Sequence, residues 1–291
     1  MADKAYSSKD LELKANSIRE DIIKMLEQAG SGHSAGPLGL ADIFTALYFD
    51  ILKHNPKKPD WNERDILLLS NGHCVPVQYA SMAHAGYFAK AELMTLRHFG
   101  SRLQGHPERL RLQGLENTSG PLGCGLSQAC GMSLAMQMNN DTHRWVYVVM
   151  GDGELNEGNV WEAAMLAPKY NLHNIIGIID RNNIQIDGTT EDVMPLEDLK
   201  AKWEAFGWHV QEIDGNNIEN VIDACAMARA ITERPSIIIA HTIPGKGIDF
   251  MEYNFKWHGG APGTGVPNKE QAKQALFELR TLGGKIRSEG E

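Results

Sequence analysis

The sequence predicts an α/β fold: a parallel sheet of about five strands with helices on both faces. Two observations carry this prediction. Apolar runs rich in β-branched residues recur near positions 66, 146, 175, 209 and 237, with helical patterns between them. That rhythm is the one that builds a parallel sheet covered on both sides. The second observation is the stretch Trp145 to Gly188, WVYVVMGDGELNEGNVWEAAMLAPKYNLHNIIGIIDRNNIQIDG, which has the spacing of one βαβ unit.

With 291 residues, 42% of them apolar, the chain can bury one large core or two small ones. No interdomain linker is visible, so we expect one domain over residues 1–265 and a charged helical arm over residues 266–291. The net charge of −9 gives no electrostatic case for nucleic acid or an anionic membrane. The start, MADKAYSSKD, is polar and lacks the apolar core of a signal peptide. No apolar run approaches the roughly 18 residues of a membrane span. Cys74, Cys124, Cys130 and Cys225 lack metal-ligand spacing and suit reduced thiols in the cytoplasm.

In chain order, Asp10 to Gln28 carries Leu11, Ile18, Ile22, Met25 and Leu26 at helical spacing and ends at Ala29-Gly30. The glycine-rich loop SGHSAGPLG follows. Gly39 to Leu52 reads as a helix, HNPKKPDWNERD as a surface loop and Ile66 to Leu69 as a strand. Val75 to Ala85 and Ala89 to His98 read as helices. Phe99 to Ser119 has no clear period, and a loop that long in a compact domain is usually functional. Gly125 to Asn139 is a helix of small residues suited to close packing. Strands are expected at Val146 to Met150 and Ile175 to Ile179. The helix between them, Gly158 to Tyr170, has Val160, Trp161, Ala164 and Met165 on one face. Helices at Pro195 to Phe206 and Asn217 to Ile231 alternate with strands at Trp208 to Ile213, half-buried, and Ser236 to Ala240, buried. A glycine and proline loop from Pro262 leads to a last helix, Lys269 to Leu282.

The βαβ unit places Gly151-Asp152-Gly153 after its first strand and Arg181-Asn182-Asn183-Ile184 after its second. Both strands end on the same sheet edge, where ligands of open α/β sheets bind. The carboxylate of Asp152 and the amide oxygen of Asn182 are hard oxygen ligands that suit Mg²⁺, with a carbonyl of Asn183 or Ile184 as a third. Glycine N–H groups and the following helix start would face the phosphates of a diphosphate. A lone GDG would be read as an ordinary capped turn. The Asn-Asn pair one βαβ unit later makes the metal reading the stronger one.

GDGELNEG through DRNNIQIDG resembles the thiamine diphosphate motif. Further segments resemble transketolases in the same order: SGHSAGPLG, SNGHC, QGHPE, SGPLGCG, HTIPGKG and WHGGAPG. The resemblance runs from about residue 10 to 265, and the second half of transketolases has no counterpart here. The chain therefore resembles the N-terminal, diphosphate-binding subunit of a split transketolase. That resemblance implies the diphosphate domain of the thiamine diphosphate-binding fold, and transfer of a two-carbon ketol unit from a ketose to an aldose, or between their phosphates. It implies thiamine diphosphate with Mg²⁺, or Ca²⁺ or Mn²⁺ in its place. It also implies a partner chain carrying a pyrimidine domain, in an α2β2 heterotetramer. The aminopyrimidine's acid/base glutamate and the sugar-phosphate anchors would lie in that partner. The α subunit of a 2-oxo acid dehydrogenase E1 component shares GDG…NN and is the alternative enzyme. A non-catalytic cofactor-binding subunit is the alternative of another class.

Four histidines stand in glycine-rich loops, His33, His73, His106 and His258. A pKa near neutrality suits histidine for moving protons at sugar hydroxyls. By the resemblance, His33 and His258 lie beside the reacting sugar, His73 and His258 approach the diphosphate, and His106 meets the donor's C1 hydroxyl. Gly120, Pro121 and Leu122 line the cofactor rings, and Gly153 touches a phosphate. Metal ligands are Asp152, Asn182 and the Ile184 carbonyl. Glu157 and Glu162 match an interface carboxylate cluster in transketolases, although on spacing alone they read as a solvated helix face. His54, His84, His98, His143, His173 and His209 read as structural or surface residues. Cys124 stands where many transketolases have glutamine, and SGHSAG replaces the commoner GHPGA order. Gly245-Lys246-Gly247 lacks the P-loop pattern and reads as a flexible flap.

Overall fold

A computed structural model describes residues 6–259 and 265–289. The expectations for the end of the WHGGAPG segment and for Pro262 lie outside the described residues. The elements in chain order are α1 (Ser8–Ala29), α2 (Ala35–Gly39), α3 (Ala41–Ala46), β1 (Ile66–Leu69), α4 (Val75–Ala85), α5 (Gly125–Met138), β2 (Val146–Gly151) and α6 (Gly158–Lys169). There follow β3 (Ile175–Arg181), β4 (Ile184–Gln185), β5 (Gly188–Thr189), α7 (Thr190–Val193), α8 (Leu199–Ala205), β6 (His209–Asp214), α9 (Ile218–Ala230), β7 (Ser236–His241) and α10 (Lys269–Ser288).

The main sheet has the order β1-β2-β3-β7-β6, and every neighbouring pair is parallel. The runs ILLL, VYVVM, IIGII and SIIIA are buried at every position because both faces are covered. Leu67, Leu69, Tyr147, Val149, Ile176, Ile178 and Ile238 point into one core, packed by α1, α3, α4, α9 and α10. Ile66, Leu68, Val146, Val148, Ile175, Ile179 and Ile239 point into the other, packed by α5, α6 and α8. β6 is an edge strand and only half buried, as its alternating sequence requires. β1 is the opposite edge, and Asn117 pairs with it like a strand: its amide donates to Leu69 O at 3.2 Å and accepts from Leu69 N at 3.3 Å.

Several elements differ from the sequence reading. The helix expected from Gly39 starts at Ala35, breaks at Leu40 and ends in a wider π turn, Leu47–Ile51. Ala89 to His98 is not an α-helix. It forms a 3-10 turn, Lys90–Thr95, because only Leu93 is buried in it and Arg97 takes the left-handed conformation at φ 61°. The helix expected from Pro195 starts at Leu199, where Asp198 caps it by accepting from Ala201 N. On α6, Val160 and Ala164 are buried with Ala163 and Ala167, but Met165 points outward. The polar loop after β3 turns back as the hairpin β4–β5. Gly245 to Gly247 is not a flap. Gly245 N donates to Ala35 O, Gly247 N donates to Glu252, and Ile248 beside them is fully buried.

The last helix, α10, lies along α1, and Asn16 donates to Leu279 O at 2.9 Å across that contact. Among the described residues no helix is long and apolar enough to cross a membrane.

The face of the sheet under the GDG turn is fixed by three tryptophans. Trp203 is fully buried, 5.1 Å from Trp208 and 5.3 Å from Trp161 between ring centroids. Trp203→Ala is expected to lower stability by about 3–5 kcal/mol, since the cavity left behind adds to the lost transfer energy. Urea unfolding followed by circular dichroism reads this as a lower midpoint with an unchanged slope.

Candidate active site

Two carboxylates lie where β2 and β3 end, paired in register as Gly151 with Asp180. Asp152 N donates to Asp180 O, and the Asp152 side chain is almost fully buried. Its Oδ1 accepts from Gly153 N at 2.8 Å and its Oδ2 from Asn183 N at 2.7 Å. Asn183 can aim that N–H because it sits at φ 63°, a left-handed position that asparagine tolerates better than most residues. The Arg181 guanidinium reaches Oδ2 at 3.3 Å and also holds Thr190 and Glu191 of the hairpin region. Burial pushes the Asp152 carboxyl up to about 6 against those donors. Asp180 is wholly buried, accepts from the Thr242 hydroxyl and from Asn182 Nδ2 at 2.8 Å, and is pushed up to about 7 by burial. The Asn182 amide is thus oriented by Asp180, and its Oδ1 accepts from Ile184 N at 3.1 Å.

The third wall is the segment before α5. Glu154, on the turn after Asp152, is buried and accepts from the Ser70 hydroxyl, from Gly123 N at 2.8 Å and from Gly151 N at 3.0 Å. Burial raises its carboxyl, and these donors oppose the rise. The sequence reading missed Glu154. Its signal was a carboxylate inside a glycine turn, between the end of a buried strand and the start of α6.

The histidines form the opposite wall. His33 lies 4.8 Å from His73 and 5.8 Å from His258, and His73 lies 5.2 Å from His258, between ring centroids. Burial, helped by the neighbouring His258 and Arg97, depresses His33 to about 3. Burial depresses His258 to about 4 and holds His73 well below its usual value. All three are neutral imidazoles at neutral pH. A Cβ on Gly259 would collide with the His33 ring, so only glycine lets the two segments meet. His106 stands apart over Gly120, whose Cβ position lies 3.9 Å from its ring; burial lowers its pKa too. Of the histidines read as structural, His84 pairs with Asp21 at 2.8 Å and His54 with Tyr48 O at 2.7 Å.

A cavity of about 200 Å³ lies between these walls, lined by Asn71, His73, Leu122, Asp152, Asn182 and His258 among others. Gly153 and Ile184 also line it, whereas His33 is not among the lining residues and packs against His73 and His258. Pro121 is exposed, and Glu157 and Glu162 lie on the outer surface at the start of α6. Cys124 is half-buried next to this wall, its thiol 3.9 Å from Leu122 O.

The donor set fits a hard dication and a polar ligand. Among the described residues no three His, Cys, Asp or Glu side chains gather as a metal cluster. One carboxylate, one amide and backbone oxygens are what a largely hydrated Mg²⁺ bound to phosphate needs. Asp152 Oδ1 keeps a lone pair beyond its bond from Gly153 N, whereas Oδ2 is met by both Asn183 N and Arg181. Buried polar atoms without partners gather at this place: Asn71 Oδ1, Ser119 Oγ, His33 Nδ1 and His258 Nδ1. Such atoms are costly unless a ligand or water meets them.

The sequence matches the family described as "Transketolase, thiamine diphosphate binding domain" over residues 11–276. It is 40% identical over 269 residues to an apulose-4-phosphate transketolase subunit of Phocaeicola vulgatus, covering 92% of this chain and 93% of that one. It is 43% identical over 249 residues to 6-deoxy-6-sulfo-D-fructose transketolase subunit SqwG of Clostridium sp., covering 86% and 90%. Against transketolase 2 of Escherichia coli it is 41% identical and covers 83% of this chain but 37% of that one. The fold is similar to transketolase from Leishmania mexicana, with TM-score 0.82 and 32% identity, over 96% of this chain and 45% of the other. With the site at the carboxyl edge of a parallel sheet and a family match across most of its length, the chain belongs to the transketolase family, as its thiamine diphosphate-binding domain.

Proposed function

We propose that the chain is the diphosphate-binding subunit of a two-chain transketolase that moves a two-carbon ketol unit between sugars or sugar phosphates. The observation that carries this reading is Asp152 and Asn182 at the ends of adjacent parallel strands, facing neutral histidines across one cavity. Bound there, thiamine diphosphate supplies the electron sink for breaking and forming a C–C bond beside a carbonyl. Asp152, Asn182 and a backbone carbonyl hold the Mg²⁺. Asn183 O already accepts from Thr190 N at 3.0 Å, and bonded pairs alternate along an antiparallel ladder, which favours Ile184 as that carbonyl. Gly153, His73 and His258 take the diphosphate end. Gly120, Pro121 and Leu122 line the rings. His33, His258 and His106 accept and return protons at sugar hydroxyls, each neutral ring offering one nitrogen that can accept.

The partner is a second chain with a pyrimidine domain, in an α2β2 assembly. A cavity of about 200 Å³ is small beside the roughly 300–1,000 Å³ of ordinary ligand sites, so another surface must complete it. Met138 on α5, Met165 on α6 and Tyr170 just past its end are exposed and suit such an interface, and Glu157 stands exposed at the other end of α6. The four thiols are unpaired, which fits the cytoplasm. We read residues 1–265 as the cofactor-bearing domain and residues 266–291 as its arm.

Asp152→Ala should abolish Mg²⁺-dependent cofactor binding. Changing a group that only supports a ligand costs about 10–100-fold, so losing the sole carboxylate should exceed about 100-fold. Calorimetry on the assembled enzyme measures this, and unchanged affinity for thiamine diphosphate refutes the metal assignment.

His33→Ala and His258→Ala should each lower kcat about 10²–10⁴-fold with the melting temperature retained. His258→Ala should also weaken cofactor binding. Wild-type turnover in both variants removes the histidines from proton transfer.

The purified chain should be inactive by itself and gain ketol transfer only with its partner. Light scattering after size exclusion, together with a ribose 5-phosphate assay, tests this. Full activity of this chain alone defeats the two-chain reading, and decarboxylation of a 2-oxo acid points to the E1 alternative.

A further inference from the structure

Glu154 lines the same cavity as Asp152 and Leu122. It is only 2% exposed. Among the described residues no Lys, Arg or His lies within ion-pair reach of it. A buried carboxylate without a cation is costly, and an apolar residue of similar size would serve stability as well or better. Its retention at this place asks for a geometric reason.

The geometry supplies one. Three N–H and O–H donors from three separate segments converge on this carboxylate. Ser70 comes from the end of β1, Gly151 from the end of β2, and Gly123 from the segment leading into α5. Ser70 Oγ in turn accepts from Gly125 N at 2.9 Å, so the segment before α5 is tied twice. Gly123 sits at φ 82°, and a Cβ on Gly125 would strike Ser70, so both glycines allow the close approach these bonds need. The residue next to Gly123 is Leu122, which faces the cavity; the residue next to Gly151 is Asp152.

We propose that Glu154 is a positioning residue whose carboxylate keeps the Leu122 segment in register with the Gly151–Asp152 turn, so that both ends of one thiamine diphosphate are met at the correct spacing. The inference rests on the reading above that Asp152 serves the diphosphate end and Leu122 the ring end. A carboxylate is the side chain the task requires. It accepts at both oxygens, whereas a glutamine would turn an NH₂ group against either Gly123 N–H or Gly151 N–H.

The test compares two ligands on Glu154→Gln and Ser70→Ala. Inorganic pyrophosphate with Mg²⁺ reads only the Asp152 end, and thiamine diphosphate with Mg²⁺ reads both ends. Calorimetry uses the chain assembled with its partner, and hydrogen exchange uses the chain itself. A hydrogen bond to a charged group is worth roughly a factor of ten or more. Glu154→Gln should therefore weaken thiamine diphosphate about tenfold or more, with pyrophosphate changed less than about threefold. Exchange at Gly123 and Gly125 should speed up about tenfold while β3 keeps its protection. An equal fall for both ligands, no fall for either, or exchange that rises across the whole sheet overturns the proposal. If Glu154→Gln does not fold, Ser70→Ala keeps the carboxylate and its backbone donors and should give the same split at smaller size; an equal effect on both ligands overturns it there. Wild-type protein that binds neither ligand defeats the functional reading instead, and the exchange comparison then decides the positioning role alone.

Discussion

The site depends on keeping polar groups dry at the carboxyl edge of one parallel sheet. Asp180 is the root of this arrangement. It is wholly buried at the end of β3, and its two oxygens are met by Thr242 after β7 and by the Asn182 amide. The Thr242 bond ties the end of β7 to that of β3. The Asn182 bond decides which way the Asn182 amide oxygen points, and so what the loop after β3 can offer a ligand. Asp152 then receives Asn183 N–H from that same loop. One strand-end carboxylate thus orients the amide, and the other holds the backbone beside it. Removing acceptors from such a network leaves buried donors unmet, at about 1–3 kcal/mol each.

Much of this was legible in the sequence because it is local. Strands with β-branched runs, buried on both faces, declare themselves, and the boundaries of β1 and α4 come out as read. GDG and the Asn-Asn pair were legible because a βαβ unit fixes their separation. The misreadings share a different cause. The 3-10 turn at Lys90–Thr95 has helical spacing over one turn only, and the left-handed Arg97 that follows it is set by a bond from its N–H to Leu103 O. The β4–β5 hairpin is too short to carry a period. Gly245 to Gly247 has the composition of a loose loop, but its backbone is bound to Ala35, far earlier in the chain.

The histidine wall is the plainest case of information that the sequence carries without displaying. Four histidines beside glycines could be noticed, but nothing local says that His33, His73 and His258 meet. They meet because the loop before α2 and the segment after β7 run against each other with little side chain between them. Ser34 Oγ donates to Gly265 O at 2.7 Å and reaches Trp257 O at 3.2 Å. At Gly39 a Cβ would lie 2.9 Å from Ile243 O, so the backbones touch there. The glycines that made these loops look functional are first of all the ones that allow this approach.

That packing also explains why the imidazoles are neutral. His33, His73 and His258 are half-buried against one another, and among the described residues no carboxylate is bonded to them that would favour a charge. Protonating one would place a cation in a poorly hydrated wall beside its neighbours, and burial accordingly depresses all three. Across the cavity the order is reversed. Asp152 carries the negative charge; burial works against it, while the N–H groups of Asn183 and Gly153 and the Arg181 guanidinium support it. The two walls therefore ask for different things from whatever lies between them. The carboxylate wall needs positive charge, and the imidazole wall needs hydroxyl or phosphate oxygens that exchange hydrogen bonds without forcing a charge. A metal-bound diphosphate at one end and a polyol at the other meet both demands in a single line.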